Sequence, residues 1–242
     1  MPHLSVVVPA YNEEDRLPRS LLRLHEYYEA QDYTYEVTVV SDGSTDRTSE
    51  IVRDFAAQHP RFGLLEYRSN RGKGYAVRTG MLKAEGELVL FCDADLATPQ
   101  EETQKLLAHI RDGADVAIGS RPLRESKLEK HQPMYREMFG RAANKAIQLL
   151  AVPGIRDTQC GFKIFKHDVA QDVFKRCKID GFSFDVESLM IARDLGYRID
   201  EVPIRWADQA GSKVVLSRDA PRGFRDLIKL RAMGKKARLR EL

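Results

Sequence analysis

Short runs rich in Val, Ile and Leu alternate with amphipathic helical stretches through the first half of this chain, and that alternation restricts the fold more than any other feature. LSVVVPA is followed by EEDRLPRSLLRLHEYYEA, YEVTVVS by STDRTSEIVRDFAAQ, FGLLEYR by GYAVRTGMLKAE, and ELVLFCDAD by PQEETQKLLAHIRD, with DVAIGSR closing the series. Strands that are apolar on both faces need cover on both, so the pattern predicts an α/β fold with a doubly wound, mostly parallel sheet and helices on both faces. At 242 residues and 43% hydrophobic content the chain can fill such a core. After Arg121 the rhythm breaks. A polar stretch, SKLEKHQPM, leads into a predicted helix from about Tyr135 to Leu150, a loop, IRDTQCGF, and a helix and strand ending in YRIDEVPIRW. With no repeat, low-complexity tract or long linker, the expectation is one domain over residues 1–220 and a basic amphipathic tail helix over 221–242.

Several classes are disfavoured early. A net charge of +3 gives no reason to expect nucleic acid. Cys92, Cys160 and Cys177 fall in no CxxC or Cys/His spacing, which predicts free thiols in a reducing, cytoplasmic setting and no zinc site. The chain enters its first strand directly from Met1, and no window approaches the ~20 apolar residues of a membrane span. Membrane contact is therefore expected to be peripheral, at the cytoplasmic membrane face.

In an open parallel sheet the ligand site lies beyond the carboxyl ends of the strands. Here those ends read PAYNEE, SDGSTD, RSNRGKG, DADLATP and GSR, which gathers carboxylates, amides, glycines and basic groups on one edge. Helix capping accounts for part of this, with Asn12, Ser44 and Thr45, and Thr98 before Pro99 as the expected caps. It does not account for Asp93 and Asp95. On an extended segment these two point the same way with Ala94 turned back, and two carboxylates so close repel unless a cation sits with them. Oxygen ligands favour Mg²⁺ or Mn²⁺, which bind one or two carboxylates together with substrate phosphates. NRGKGYAVRTG lacks both GxxxxGK[ST] and GxGxxG, so neither a P-loop ATPase nor a dinucleotide enzyme is indicated. Gly72 and Gly74 turn the backbone into a helix, and Lys73 either meets an anion or base or stays solvated.

PAYNEE, SDGSTD, NRGKGYAVRTG, DAD and GSR, in this order and spacing, resemble the inverting family 2 glycosyltransferases of GT-A fold. DTQCGFKIF, FSFDVE and the pair EVPIRW and GSK resemble, within that family, the dolichyl-phosphate β-glucosyltransferases and bacterial polyprenyl-phosphate glycosyltransferases. The likeness runs from Leu4 to about Lys229. Two departures are visible: eukaryotic members carry an N-terminal membrane helix that is absent here, and related mannosyltransferases carry DxDxQ where this chain has DADLA, with Ala97 at the glutamine.

The resemblance implies a metal-dependent hexosyltransferase moving a hexose, glucose favoured, from UDP-glucose to a polyprenyl phosphate. It implies that Pro9, Tyr11, Glu13, Asp42, Lys73 and Asp93 form the nucleotide pocket and that Asp93 and Asp95 hold the metal. A tyrosine face stacks on a flat base and a carboxylate accepts an imide N–H, but neither separates UDP from GDP. A phosphate acceptor is already ionised at neutral pH, so binding cations matter more than a base. The resemblance places Arg121 and Arg136 at the lipid phosphate, with Arg141 a further candidate, although Arg136 and Arg141 equally suit a solvated helix face. Asp157, Gln159, Asp185 and Glu187 are expected to line the sugar, Asp185 and Glu187 also suiting a helix N-terminus. Lys213 is expected to close over the diphosphate. Transfer to a saccharide or small-molecule hydroxyl, with Asp185 or Asp157 as base, transfer of mannose from GDP-mannose, and an idle nucleotide-sugar scaffold remain as alternatives. In the tail, Phe224, Leu227, Ile228 and Leu230 with Ala232 fall largely on one side of a strongly basic helix, suited to an anionic membrane surface or to packing on protein.

Overall fold

The structure, a computed structural model, describes residues 1–130, 151–209 and 216–241. The predicted series is present: β1 (Leu4–Ala10), β2 (Tyr35–Asp42), β3 (Phe62–Tyr67), β4 (Leu88–Cys92) and β5 (Val116–Ser120) alternate with α1 (Leu17–Glu29), α2 (Thr48–Gln58), α3 (Lys73–Lys83) and α4 (Thr103–Arg111). β6 (Lys127–Lys130), β7 (Phe162–Lys166), α5 (His167–Phe174), α6 (Phe184–Leu195), β8 (Ile199–Pro203), β9 (Arg205–Ala207), α7 (Leu216–Ala232) and α8 (Lys235–Arg238) follow. The helix expected over 135–150 lies outside the described residues.

Among the described residues seven strands form one sheet in the order β3-β2-β1-β4-β7-β5-β8. Neighbours are parallel except at β7, which runs antiparallel to both β4 and β5. β6 and β9 pair separately. Alternate residues of each strand feed opposite cores. Val6 and Val8 meet Leu17, Leu21, Leu24 and Tyr28 on one face, while Val7 meets Ala76, Val77 and Met81 on the other. β7 obeys the same rule: Phe162 and Ile164 enter the first core and Phe165 the second. Lys163 therefore points toward the second core, where it is fully buried with its ammonium 5.0 Å from the centre of the Phe91 ring.

The expected side-chain caps are not made. α1, α2 and α4 start after Arg16, Arg47 and Glu102, none with a capping hydrogen bond from its side chain. Asn12 and Ser44 instead tie two loops together, since the Asn12 N–H donates to Ser44 Oγ (3.1 Å) and Asn12 Oδ1 accepts the Thr45 N–H (2.8 Å). Joining the loops that follow β1 and β2 has taken precedence over starting a helix.

α7 carries the tail onto the domain. Leu227 and Leu230 are buried in the second core, Arg238 donates to Asp194 Oδ2 (2.7 Å) and to the Leu230 carbonyl (3.0 Å), and Arg176 holds the Leu239 carbonyl (3.0 Å). Phe224 and Ile228, expected on the same side as Leu227 and Leu230, instead stay 59% and 52% exposed one turn apart, so the apolar residues of the helix divide between core and surface. No described helix is long and apolar enough to cross a membrane, and Cys92, Cys160 and Cys177 are buried free thiols. Leu227→Ala is expected to cost about 2–5 kcal/mol of unfolding free energy. The measurement is a urea titration, with a lower midpoint at unchanged slope; an unchanged midpoint would mean that the helix is not docked in solution.

Candidate active site

Loops after the carboxyl ends of β1, β2 and β4 meet the start of α3, the turn before α6 and one face of α7 around a cleft of about 1010 Å³. Pro9, Tyr11, Glu13, Asp42, Lys73, Asp93 and Asp95 all line it, so the residues expected to bind nucleotide and metal are brought together. Tyr11 is 37% exposed at the rim, its ring open to a flat partner.

Asp42 does more than face the cleft. Buried at the end of β2, its carboxylate accepts the Asn70 amide (2.9 Å) and the main-chain N–H groups of Arg71 (2.8 Å) and Gly72 (2.9 Å), and so shapes the NRGKG loop. Gly72, at φ 107°, starts α3 where a Cβ would collide with the Asp180 carbonyl, and that carbonyl accepts the Gly74 N–H (2.8 Å). The Arg71 guanidinium stacks 3.6 Å from the Tyr75 ring centre. Glu13 is gripped by Arg16 through both carboxylate oxygens (2.7 and 2.6 Å).

Asp93 and Asp95 flank a buried Ala94 at the floor. Lys73 Nζ lies 2.6 Å from Asp93 Oδ1. Burial works against the Lys73 ammonium, but Asp93, Asp185 and Asp95 together hold its pKa above the ordinary lysine value. Burial, then the charge of Asp93, raises the Asp95 carboxyl above the usual range, although Oδ1 accepts the Ala97 N–H (3.1 Å). The turn that presents them is strained: Leu96 has φ 48° and donates its N–H to the Asp93 carbonyl (3.0 Å). Gly161 completes the floor, since a Cβ there would overlap the Asp93 carboxylate. Among the described residues no group of three or more His, Cys, Asp or Glu side chains is placed to hold a metal ion. Two neighbouring carboxylates at an open cleft, Asp93 also paired with Lys73, suit Mg²⁺ or Mn²⁺, which leave most coordination to water and substrate phosphate.

The remaining expected residues divide. Asp185 is buried and paired with the Lys163 ammonium, which also donates to the Cys160 carbonyl (2.6 Å); burial raises the Asp185 pKa, with Lys163 and Lys73 opposing. Arg121 does not project a free fork. Its Nε and Nη2 donate to Asp157 (2.6 and 2.9 Å), its N–H donates to the same carboxylate (3.0 Å), and its guanidinium lies 5.4 Å from the Trp206 ring centre. Burial would raise the Asp157 pKa, but Arg121 holds it below the usual range. Glu187 accepts the N–H groups of Lys178 and Ile179 (2.9 and 2.8 Å), and Gln159 is exposed, its N–H on Asp157 Oδ1 (3.3 Å). Arg136, Arg141 and Lys213 lie outside the described residues.

Residue-type arguments overlooked Lys163, Gly161, Arg16 and Glu201, the last accepting Ser120 Oγ (2.6 Å) and the Asp157 N–H (3.0 Å). They also overlooked Arg222, Arg225 and Lys229 as cleft-lining groups. Only Lys163 left a signal, a lysine inside the apolar run FKIF.

A model of the family described as Glycosyl transferase family 2 matches residues 5–174. The chain belongs to that family. A dolichyl-phosphate beta-glucosyltransferase of Drosophila melanogaster is 40% identical over 224 residues, covering 87% of this chain and 69% of that protein. Its Homo sapiens namesake is 36% identical over 225 residues, covering 88% and 69%. Among solved structures, mannosyl-3-phosphoglycerate synthase from Rubrobacter xylanophilus superposes with a TM-score of 0.69 at 18% identity, covering 100% of this chain and 77% of that one. Glucosyl-3-phosphoglycerate synthase from Mycobacterium tuberculosis, in complex with Mn²⁺, UDP and glucosyl-3-phosphoglycerate, gives 0.65 at 17% identity over 96% and 81%. At such identities the likeness shows the fold, and this family 2 glycosyltransferase has the GT-A architecture.

Gly161→Ala tests the packing of the floor. The added methyl group must displace Asp93, so kcat is expected to fall at least about tenfold with an unchanged melting temperature, because a 1 Å misplacement at a reacting centre is that costly. Full activity would show that Asp93 need not sit where the structure has it.

Proposed function

We propose that this enzyme transfers glucose from UDP-glucose to a polyprenyl phosphate of the dolichyl type, with inversion at the anomeric carbon. The observation that carries the reading is the meeting of Asp93, Asp95 and Lys73 at the carboxyl edge of the sheet, beside a wall of Pro9, Tyr11, Glu13 and Asp42. The names of the Drosophila and human relatives supply the acceptor and sugar class.

In this reaction a phosphate oxygen of the acceptor bonds to the anomeric carbon as the bond to the diphosphate breaks, and the electron pair leaves with UDP. The attacking oxygen carries no proton near neutral pH, so the chain must position and shield charge more than abstract a proton. Tyr11 and Pro9 border the base, and Asp42 keeps the NRGKG loop in shape beside it. Held by Asp93 and Asp95, Mg²⁺ or Mn²⁺ would neutralise charge on the leaving diphosphate. A hydroxyl acceptor would need a general base, and both candidates are committed: Asp185 to Lys163 and Asp157 to Arg121.

The acceptor's phosphate sits at headgroup depth in a bilayer. Phe224 and Ile228 on the exposed side of α7, with Lys235, Lys236 and Arg240 beyond, suit a reversible and salt-sensitive contact with an anionic leaflet, each basic group contributing on the order of 1 kcal/mol. Replacing both Phe224 and Ile228 by Ser is expected to abolish co-sedimentation with phosphatidylserine liposomes at an unchanged melting temperature. Undiminished sedimentation would move the membrane contact elsewhere.

Purified protein given labelled UDP-glucose or GDP-mannose with a panel of polyprenyl phosphates should label lipid from UDP-glucose alone. Asp95→Asn is expected to reduce that turnover by at least about a hundredfold while leaving the fold intact. Mannose transfer, or a fully active Asp95→Asn, would defeat the reading.

A further inference from the structure

One of the two carboxylates expected to hold the metal already holds a cation of the chain's own. Lys73 Nζ lies 2.6 Å from Asp93 Oδ1, and the pair is sunk into the cleft floor, with side chains 22% and 34% exposed. The second oxygen of Asp93 is turned to the chain, since a Cβ built on Gly161 would meet Oδ2 before Oδ1. A cation entering from the cleft therefore meets Oδ1, where the ammonium sits. Lys73 is also the first residue of α3, which has no acidic residue in its first turn, and that end of a helix disfavours a cation and suits an anion. Of the other acids that act on Lys73, Asp185 is paired with Lys163, and Asp95 is the second expected metal ligand.

We propose that Lys73 is a built-in competitor for the metal position on Asp93, and that the diphosphate of the nucleotide sugar relieves the competition by drawing the ammonium away. The inference rests on the donor and the metal assigned above and adds how their binding is coupled. A divalent cation approaching from the cleft binds Asp93 Oδ1 only by displacing Lys73. With no new partner, the displaced ammonium would be left largely buried and uncompensated, which is strongly unfavourable. A diphosphate supplies the missing partner. It accepts the ammonium in a charge-assisted bond, suits the start of α3, and offers the metal further oxygens. Metal alone is therefore opposed at this floor, whereas metal together with diphosphate is not. By linkage, each of the two ligands must strengthen the other to the same extent. A lysine that served only the diphosphate would leave the affinity for metal alone where it was.

The test uses the full chain, unaltered and with Lys73→Met or Lys73→Arg. Mn²⁺ is titrated without nucleotide and then with saturating UDP, the free ion being read by electron paramagnetic resonance; calorimetry reads UDP affinity with and without Mn²⁺. Lys73→Met is expected to bind Mn²⁺ alone at least about tenfold more tightly than the unaltered chain, because a charge-assisted contact no longer opposes the metal. The factor by which UDP strengthens Mn²⁺ binding should shrink by a similar amount, and the factor by which Mn²⁺ strengthens UDP binding should shrink with it. Lys73→Arg keeps the cation and should keep the weak affinity for metal alone. If Lys73→Met binds Mn²⁺ alone no more tightly, or if Lys73→Arg tightens it equally, the competition does not exist, although the metal assignment stands. If the unaltered chain binds no Mn²⁺ even with UDP, the metal assignment itself falls and this inference with it. Should Lys73→Met misfold, Lys73→Gln must still tighten the binding of Mn²⁺ alone by about threefold or more.

Discussion

Two ammonium groups set among carboxylates hold the cleft floor together. Lys73 meets Asp93, and Lys163 meets Asp185, with Lys73 also acting on Asp185. Unit charges 4 Å apart interact by about 4 kcal/mol at an effective dielectric constant of 20, so acids gathered here without cations would protonate or move apart. Lys163 costs a large desolvation, being wholly buried on a central strand. Its neighbours offset that cost: the Cys160 carbonyl, the Asp185 carboxylate and the face of Phe91. β7 thus supplies the counter-charge from below, while Gly161, one residue ahead of it, leaves room for Asp93 above.

Carboxylates elsewhere in the site bind the main chain as much as they await a ligand. Asp42 holds two N–H groups of the NRGKG loop, Glu187 holds the N–H groups of Lys178 and Ile179, and Glu201 holds those of Arg156 and Asp157. A hydrogen bond to a charged acceptor is worth about 1.5–3 kcal/mol, so each acid fixes a loop that has no regular structure to fix it. The loops are joined in turn, since Asp180 receives the N–H groups of Gly74 and Tyr75 and the Arg78 guanidinium. The wall of the cleft built from Asp42 and the NRGKG loop is therefore held in shape by the chain's own hydrogen bonds, which is the condition under which fixed dipoles stabilise developing charge.

What could be read from the sequence follows from how local each signal is. The alternation of apolar runs and helices reports burial on both faces, and it located β1 to β5 with α1 to α4; Asp93 and Asp95 were legible because two charges at the end of a greasy strand need a reason. β7 was missed because nothing in its own residues marks an antiparallel strand inserted between β4 and β5, and the lysine inside FKIF reads as solvent-facing until the strand is placed in the sheet. The caps failed at Asn12 and Ser44 because each found a partner across the loops following β1 and β2, about thirty residues away in sequence. Arg121 and Asp157 were both picked out, but nothing in a linear chain shows that they satisfy one another. The tail was legible as amphipathic and basic; which basic residues border the cleft depends on the docking of Leu227 and Leu230.

Charge is distributed unevenly across the cleft, and this bears on the kind of acceptor it suits. The floor at the sheet edge is acidic, with its lysines already engaged, whereas α7 contributes Arg222, Arg225 and Lys229 against Asp226 alone on its cleft face. An acidic floor suits a divalent cation that would neutralise a diphosphate, and a cationic helix suits an anion. A neutral hydroxyl acceptor would gain nothing from α7 and would still need a base, yet Asp185 and Asp157 can act as one only by leaving Lys163 and Arg121 unpaired in the interior. A phosphate acceptor needs no such sacrifice. It brings its own ionised oxygen, so neither buried pair has to be broken.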